Sequence, residues 1–358
     1  MEIRGISGFL GFGGVLASLL TVACGAEGPE SSDRTLSAPD AEAELAATQQ
    51  ALFSCGLPPG PSTNVRKPSG VVGNLKVLNW AGFKAAVSYT FDDANSSQIQ
   101  HYSELNSLGV PLTFYLITGK VEASNAIWKQ AVANGHEIGN HTKSHLSAGS
   151  AADVDAATTF IQQSIGVRPW TFAAPNGDAS YRSIAQSRFL VSRGVANGSV
   201  APNDATDPFN LPTFIPAAGA PAASFNNEVD AARTSGRWKT VLVHGFTGGS
   251  DAAYQPVALD QFVQSVNHTK SFGDVWTDTM TKVGAYWIGQ KVFSAVTPTT
   301  AGSTKTWRWT LPANFPPGKC LRITVTGGTV KQGGVALPWN THGYYEIALD
   351  TGSVSLSP

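Results

Sequence analysis

Between residues 85 and 290 short apolar runs alternate with amphipathic stretches, and this alternation restricts the fold more than any other feature of the chain. Ala85 to Phe91 reads as a strand, and Ile99, Tyr102, Leu105 and Leu108 follow at helical spacing. Leu112 to Ile117, rich in aromatic and β-branched residues, reads as a second strand. Ile127, Trp128, Ala131 and Val132 mark another helix, which Asn134-Gly135 closes. Val154 to Ile165 reads as helix, and Trp170 to Ala174, Phe189 to Val195 and Thr240 to Val243 as strands. Leu259, Phe262, Val263 and Val266 fall at i, i+3, i+4 and i+7. Regular strand–helix alternation implies an α/β fold with a parallel sheet, open or closed into a barrel. A span of roughly 220 residues, about 70 to 292, suits a barrel.

After Val292 the period changes to two. Trp307, Trp309 and Leu311 alternate, as do Leu321, Ile323 and Val325, and then Tyr345, Ile347 and Leu349. Residues 293–358 are therefore expected to form a small antiparallel, sandwich-like β-module. Trp307 and Trp309 share a strand face, and core packing is preferred there over stacking on a sugar.

The N-terminal end carries the one long apolar run, Ile6 to Ala23, behind Arg4. Residues 1–24 read as a secretion signal. Ala23-Cys24 resembles a bacterial lipoprotein cleavage site, with the usual Leu displaced by one position to Leu20. A lipid anchor at Cys24 and plain cleavage near Ala26 both stay open. Residues 25–69 read as an acidic, Pro-rich tether. Glu27, Glu30, Asp33, Asp40, Glu42 and Glu44 face a lone Arg34, and such a stretch buries too little surface to offset its chain entropy. The body of the chain holds Cys55 and Cys320, which either bridge, as exported proteins permit, or stay separate thiols. Neither has metal-site spacing.

Composition narrows the function classes. Lys and Arg number 24 against 25 Asp and Glu, so no basic surplus exists to hold a nucleic acid backbone. With one apolar run, a multi-span membrane protein is excluded. Charged residues are 14% of the chain, against roughly 25% in ordinary domains, which suits an exported protein that meets a neutral polymer.

Four segments place polar residues at strand ends. Thr90-Phe91-Asp92-Asp93 ends the first strand in two carboxylates, and His141-Thr142-Lys143-Ser144-His145 sets two imidazoles four residues apart, one helical turn. Phe172-Ala173-Ala174-Pro175-Asn176-Gly177 follows a strand, and Val241-Leu242-Val243-His244 ends another. A catalytic zinc takes three protein ligands and leaves one position open. The His pair supplies two and one strand-end carboxylate the third. The other carboxylate is left as a general base, and His244 as the acid that protonates a leaving group. Together they suggest metal-assisted hydrolysis of an amide or ester. His136 is read as a buried structural histidine. The glycosylation sequons at Asn95, Asn140, Asn197 and Asn267 are read as idle.

These motifs, in this order, resemble the polysaccharide deacetylase family, the carbohydrate esterases of family 4 with a chitooligosaccharide-deacetylase homology domain. The T-F-D-D motif is Thr90 to Asp93, the H-S/T-x-x-H motif is His141 to His145, and L-x-L-H stands as Val241 to His244 with one Leu replaced. The resemblance covers residues 85 to about 290. It implies a distorted (β/α) barrel and one divalent metal ion, most often Zn2+. It implies Asp92 as general base, Asp93, His141 and His145 as metal ligands, and His244 as general acid. The backbone N–H of Asn176 would help hold the oxyanion. The partner would be an acetylated polysaccharide, with no protein partner or nucleic acid expected.

Two departures stand out. Ala173 occupies the position of an arginine that normally pairs with the base, with Arg182 and Arg193 as candidate replacements. The D-x-x-D-W motif, whose Asp orients the acid histidine, has no visible match, and Asp178, Asp204 and Asp207 are the candidate substitutes. The expected activity is that of a hydrolase acting on carbon–nitrogen, non-peptide bonds. It would be a metal-dependent deacetylase of chitin- or peptidoglycan-type N-acetyl groups, with metal-bound water as nucleophile. An O-acetyl xylan esterase and a catalytically weak carbohydrate-binding surface protein are the alternatives. The expected location is the bacterial cell envelope or the exterior.

Overall fold

The computed structural model describes residues 55–358. The expected secretion signal, Cys24 and the tether up to residue 54 lie outside the described residues. Among the described residues no helix is long and apolar enough to cross a membrane.

The alternating region folds around a parallel sheet. Its strands are β2 (Ala85–Asp92), β3 (Thr113–Leu116), β4 (Glu137–Asn140), β5 (Thr171–Ala173), β6 (Val191–Arg193), β7 (Trp238–Val243) and β8 (Val275–Thr277), preceded by the short β1 (Lys76–Val77). The helices are α1 (Ser96–Gln100), α2 (Tyr102–Ser107), α3 (Ile127–Ala133), α4 (Ala151–Phe160), α5 (Arg182–Gln186), α6 (Ala222–Ser235), α7 (Leu259–Ser271) and α8 (Met280–Ser294). Strand order is β6-β5-β4-β3-β2-β7, with β8 paired to the first residues of β2. All eight residues of β2 are buried, as expected for a central parallel strand covered on both faces.

The sheet curls back on itself. Leu211 bridges Arg193 of β6, and Phe214 bridges Val241 of β7, both in parallel sense. Leu211 N–H donates to Ser192 O at 2.9 Å and Phe214 N–H to Thr240 O at 2.9 Å. A four-residue extended segment thus replaces a regular strand in the ring, which is the distortion of the barrel.

The C-terminal region is antiparallel. It adds β9 (Thr299–Ala301), β10 (Thr304–Arg308), β11 (Cys320–Thr324), β12 (Thr329–Gln332), β13 (Val335–Ala336), β14 (Tyr345–Ala348) and β15 (Ser353–Ser357). They form a five-stranded sheet, β13-β12-β15-β10-β9, and a three-stranded one in which β1 pairs with β11 and β11 with β14. Trp307 and Trp309 point inward, each 8% exposed, and both pack against Phe293 of α8. Helix α8 is apolar on nearly every side because it is sandwiched, with the barrel strands on one flank and Leu321 and Leu349 on the other.

Several links tie the N-terminal segment to this module, among them a disulfide and a buried arginine. Cys55 and Cys320 form a disulfide, settling the alternative left open by their number. Arg322, buried on β11, donates to Pro58 O at 2.7 Å and Ala81 O at 3.0 Å, and pairs with Glu346 at 3.0 Å. Its guanidinium also lies over the Tyr344 ring at 4.1 Å. Removing one partner of such a buried pair leaves the other charge uncompensated.

His136 is buried between the ring edges of Tyr102 and Phe114. Leu112 N–H donates to its Nδ1 at 3.0 Å, so Nε2 carries the proton and faces Asn106 Oδ1 at 3.1 Å. Burial lowers its pKa to about 4.

Two predictions follow from this packing. Arg322→Met should lower unfolding free energy by about 3 kcal/mol in urea titrations. For His136, the unfolded chain takes up its proton near pH 6.5 and the folded one only near pH 4. Its share of stability is therefore complete above the unfolded pKa and lost as pH falls through that window. About 2 kcal/mol should disappear between pH 7 and pH 4, after allowing for partial exposure. His136→Asn, which keeps an acceptor for Leu112 N–H, should flatten that dependence.

Candidate active site

The chain has to turn sharply after β2 for two adjacent carboxylates to face one opening. Asp93 (φ 76°) and Ala94 (φ 54°) take the left-handed conformation, which is unfavourable for residues with a Cβ. Side chains of α1 and its cap hold the turn. Gln98 Nε2 donates to Asp92 O at 2.5 Å and to His244 O at 2.7 Å. Asn95 Nδ2 donates to His244 O at 2.8 Å, and Asn95 Oδ1 accepts from Lys120 Nζ at 2.7 Å. The ends of β2 and β7 are thereby joined.

The two imidazoles meet by a different route from the one expected. Residues 141–145 are a loop and not a helical turn, with Thr142 (φ 65°) and His145 (φ 52°) left-handed. Asn140 Oδ1 accepts from Thr142 N–H, and Thr142 Oγ1 accepts from His145 N–H. The loop folds back so that the His141 and His145 rings meet edge to face, 4.8 Å apart.

Asp93, His141 and His145 each offer a ligand atom, all within 4.8 Å of one another. His141 Nδ1 lies 2.8 Å from Ala173 O, so it donates there and leaves the Nε2 lone pair facing the carboxylates. That Nε2 is 3.4 Å from Asp93 Oδ1 and 3.6 Å from Asp92 Oδ2. Burial pushes the Asp93 carboxyl up, but the hydrogen bond and charge of His141 outweigh it and hold the group well below the usual range. Burial likewise disfavours a charged His141, yet Asp92 and Asp93 raise its pKa overall. Burial, with His141 beside it, lowers that of His145. Two imidazoles and a carboxylate around excess negative charge form a donor set that fits a divalent cation.

Asp92 is 3% exposed. Its Oδ2 accepts from Arg193 Nη2, and its Oδ1 has no protein partner. Arg193 is the replacement for the arginine missing at Ala173. The two residues are direct neighbours in the β5–β6 register, so the cation comes from one strand over. Arg182, the other candidate, is exposed.

His244 follows β7, opens onto the same cavity and has its ring against Tyr254 at 5.2 Å. Burial lowers its pKa. Its Nδ1 is buried with no protein partner. None of the three expected aspartates serves it. Asp178 accepts from Ser180, Asp204 from Ala201 and Thr206 N–H, and Asp207 from Phe209 N–H. Each caps its own loop, where short-range backbone donors outcompete a distant ring. Asn176 (φ 55°) lines the cavity on a turn closed by Gly177 and Asp178 N–H, which leaves its own N–H out of that turn's hydrogen bonds. The cavity encloses about 480 Å³. Tyr254 and Gln98 escaped the sequence reading because neither belongs to a motif, and Asn95 was read there only as an idle sequon.

Residues 81–193 match the family described as polysaccharide deacetylase. That match covers less than half of the chain. A gellan lyase from a Bacillus species is 31% identical over 134 residues, 34% of this chain and 5% of that protein. A peptidoglycan-N-acetylglucosamine deacetylase from Bacillus cereus is 35% identical over 69 residues, 19% of this chain and 32% of that protein. The chain thus spans about a third or less of the curated relatives it matches. A probable polysaccharide deacetylase from Pseudomonas aeruginosa PAO1 aligns over 59% of this chain and 93% of its own, at 12% identity and a TM-score of 0.47. Asp92, Asp93, His141, His145 and Arg193 fall within the deacetylase stretch, and His244 lies beyond it.

The buried Asp92–Arg193 pair makes a stability prediction. Arg193→Met should destabilise by about 3 to 5 kcal/mol, because a carboxylate stays buried without its cation. Adding Asp92→Asn should recover much of that loss in urea titrations. Equal stabilities for the single and double variants would mean the pair is not coupled.

Proposed function

We propose that this chain is a divalent-metal-dependent hydrolase that removes acetyl groups from a polysaccharide. The observation that carries this reading is the convergence of Asp93, His141 and His145 beside Asp92 and His244 at one end of the barrel. N-acetyl groups of a chitin- or peptidoglycan-type glycan are the proposed substrate, in line with the activity named for the Bacillus cereus relative. Zn2+ is the proposed metal, since a His, His, carboxylate set with an open side suits it. When bound, it would supply Lewis acidity, lowering the pKa of a water and polarising a carbonyl.

The chain's own residues supply the rest. Arg193 fixes one oxygen of Asp92, so the free Oδ1 is oriented to take a proton from the attacking water. Asn176 N–H donates to the carbonyl oxygen as it gains charge. His244 gives its proton to the departing nitrogen. Export is proposed too, because the Cys55–Cys320 disulfide persists in oxidising compartments. A lipid at Cys24 would tie the enzyme to the cell envelope.

Acetate release from chitin oligomers, acetylated xylan and peptidoglycan, measured with added zinc and with chelator, tests this reading. Release should require metal and be greatest on an N-acetylated glycan. Chelator-insensitive release would sink the metal dependence, and xylan alone as substrate would make the chain an esterase. Polymer retention without release on any of the three would make it a binding protein. Asp92→Asn should cut turnover about 100-fold or more while bound zinc stays at the parent level.

A further inference from the structure

Residues 245–257 leave the end of β7 and return to the start of α7. Thr247 N–H donates to Val257 O at 2.9 Å and Val257 N–H to Gly245 O at 3.2 Å, so the loop has a closed neck, with Phe246 and Val257 buried in it. Farther along, the loop is pinned to α1. Asp251 Oδ2 accepts from Ser97 N–H at 2.6 Å and from Ser96 Oγ at 3.2 Å. The packing leaves no room for a side chain at two positions. A Cβ at Gly249 would stand 2.8 Å from Ser97 Cβ, and one at Gly245 would stand 2.7 Å from Ala253 Cβ. A loop held in this way presents its remaining side chains in place, which lowers the cost of ordering them on a ligand.

Tyr254 is the side chain so presented. Among the described residues no other Phe, Tyr or Trp is exposed. Its ring lines the main cavity and meets the His244 ring at 5.2 Å, with the planes 84° apart. Directly after it Gln255 (φ 46°) is left-handed, a strained conformation that persists only where the surroundings impose it. Folding gains nothing from an aromatic face left in water. Val195, also on the lining, is exposed too, as is Leu146 beside His145. Apolar surface gathered at the mouth of a polar cavity marks a ligand groove. It suits a ligand that is polar at its edges and apolar on its faces. A pyranose ring is built that way, with hydroxyls pointing outward and C–H bonds covering the faces. A stiff phenol ring covers such a face with little loss of entropy.

We infer that Tyr254 stacks on the sugar unit next along the chain from the one whose acetyl group enters the cavity, so that the site selects oligomers over single sugars. The inference rests on the polysaccharide reading above and adds a chain-length requirement to it. Tyr254 is the more exposed partner of the His244 contact, so a ring lying on its open face sits outside the cavity.

Isothermal titration of the full chain with N-acetylglucosamine, chitotetraose and acetylated xylotetraose tests this. Two backgrounds prevent turnover, the chelator-treated chain and Asp92→Asn. One tetraose should bind tighter than the single sugar by about 10-fold or more. Tyr254→Ala should weaken that tetraose about 10-fold, and Tyr254→Phe, which keeps the ring, about 2-fold or less, with melting temperatures near the parent's. In acetate release by the metal-loaded protein, the Tyr254→Ala loss should appear in KM. A fall in kcat at unchanged KM would make Tyr254 only a brace for His244 and overturn the inference, as would equal affinity for the single sugar and both tetraoses. An active parent whose tetraose affinity ignores Tyr254→Ala overturns the inference and leaves the deacetylase reading standing. If no glycan releases acetate, that reading falls. Tetraose binding that still needs the Tyr254 ring would then uphold the stacking role, and absence of tetraose binding would overturn it.

Discussion

The contact between Asp92 and Arg193 governs how the site is built. Both side chains are taken almost wholly out of water, and the desolvation of such a pair costs several kcal/mol per ion before their attraction is counted. That arrangement persists only where geometry is good. Arg193 also donates to Gly194 O at 2.8 Å and lies over the Tyr115 ring at 5.4 Å, while its Nε is buried without a hydrogen-bond partner. The pair spans the sheet from β6 to β2, and Ala173 of β5 is the register partner of Arg193.

Backbone strain is distributed to match. Ten described residues other than glycine have positive φ; Asp93, His145 and Asn176 line the same cavity, and Ala94 and Thr142 adjoin its lining residues in sequence. Each such residue costs on the order of 1 to 3 kcal/mol and survives only when its surroundings over-determine it. The restraints here are side-chain amides: Gln98 and Asn95 under the first turn, Asn140 under the second. Asn140 is itself anchored on Val154 O and Thr158 Oγ1 of α4. Strand ends, caps and the helices behind them hold the donor atoms close.

Periodicity made the barrel legible where strands and helices met solvent on one side. The i, i+3, i+4, i+7 pattern of α7 is plain in Leu259, Phe262, Val263 and Val266. By contrast α8 left no such trace. It is buried on both flanks, and a helix apolar all round has no face to detect. The segment 211–214 was equally silent, since Leu211 and Phe214 bridge two different strands and no run of alternation forms. In the site, motif spacing named the residues that converge, yet it mistook the means. His141 and His145 suggested a helix because i and i+4 coincide there, whereas two left-handed residues bring the rings together. Arg193 was on the page as a strand residue, but the choice between it and Arg182 depends on β5–β6 register, which a single sequence does not encode.

The His244 side of the site is held differently from the His141 side. Asp92 has its charge fixed by Arg193, and His141 has its ring fixed by Ala173 O. Among the described residues no carboxylate is hydrogen-bonded to the His244 ring, and its backbone is gripped by Asn95 and Gln98. Gln98 is decisive, because one amide nitrogen touches the carbonyls of both Asp92 and His244 and so ties the ends of β2 and β7 together. The His244 ring is then steadied by the edge contact with Tyr254, a side chain 59% exposed. An exposed aromatic orders a neighbour best when something covers its outer face. In the proposed reading a polymer lying across the mouth would do that, so the orientation of the His244 ring would tighten as the groove fills.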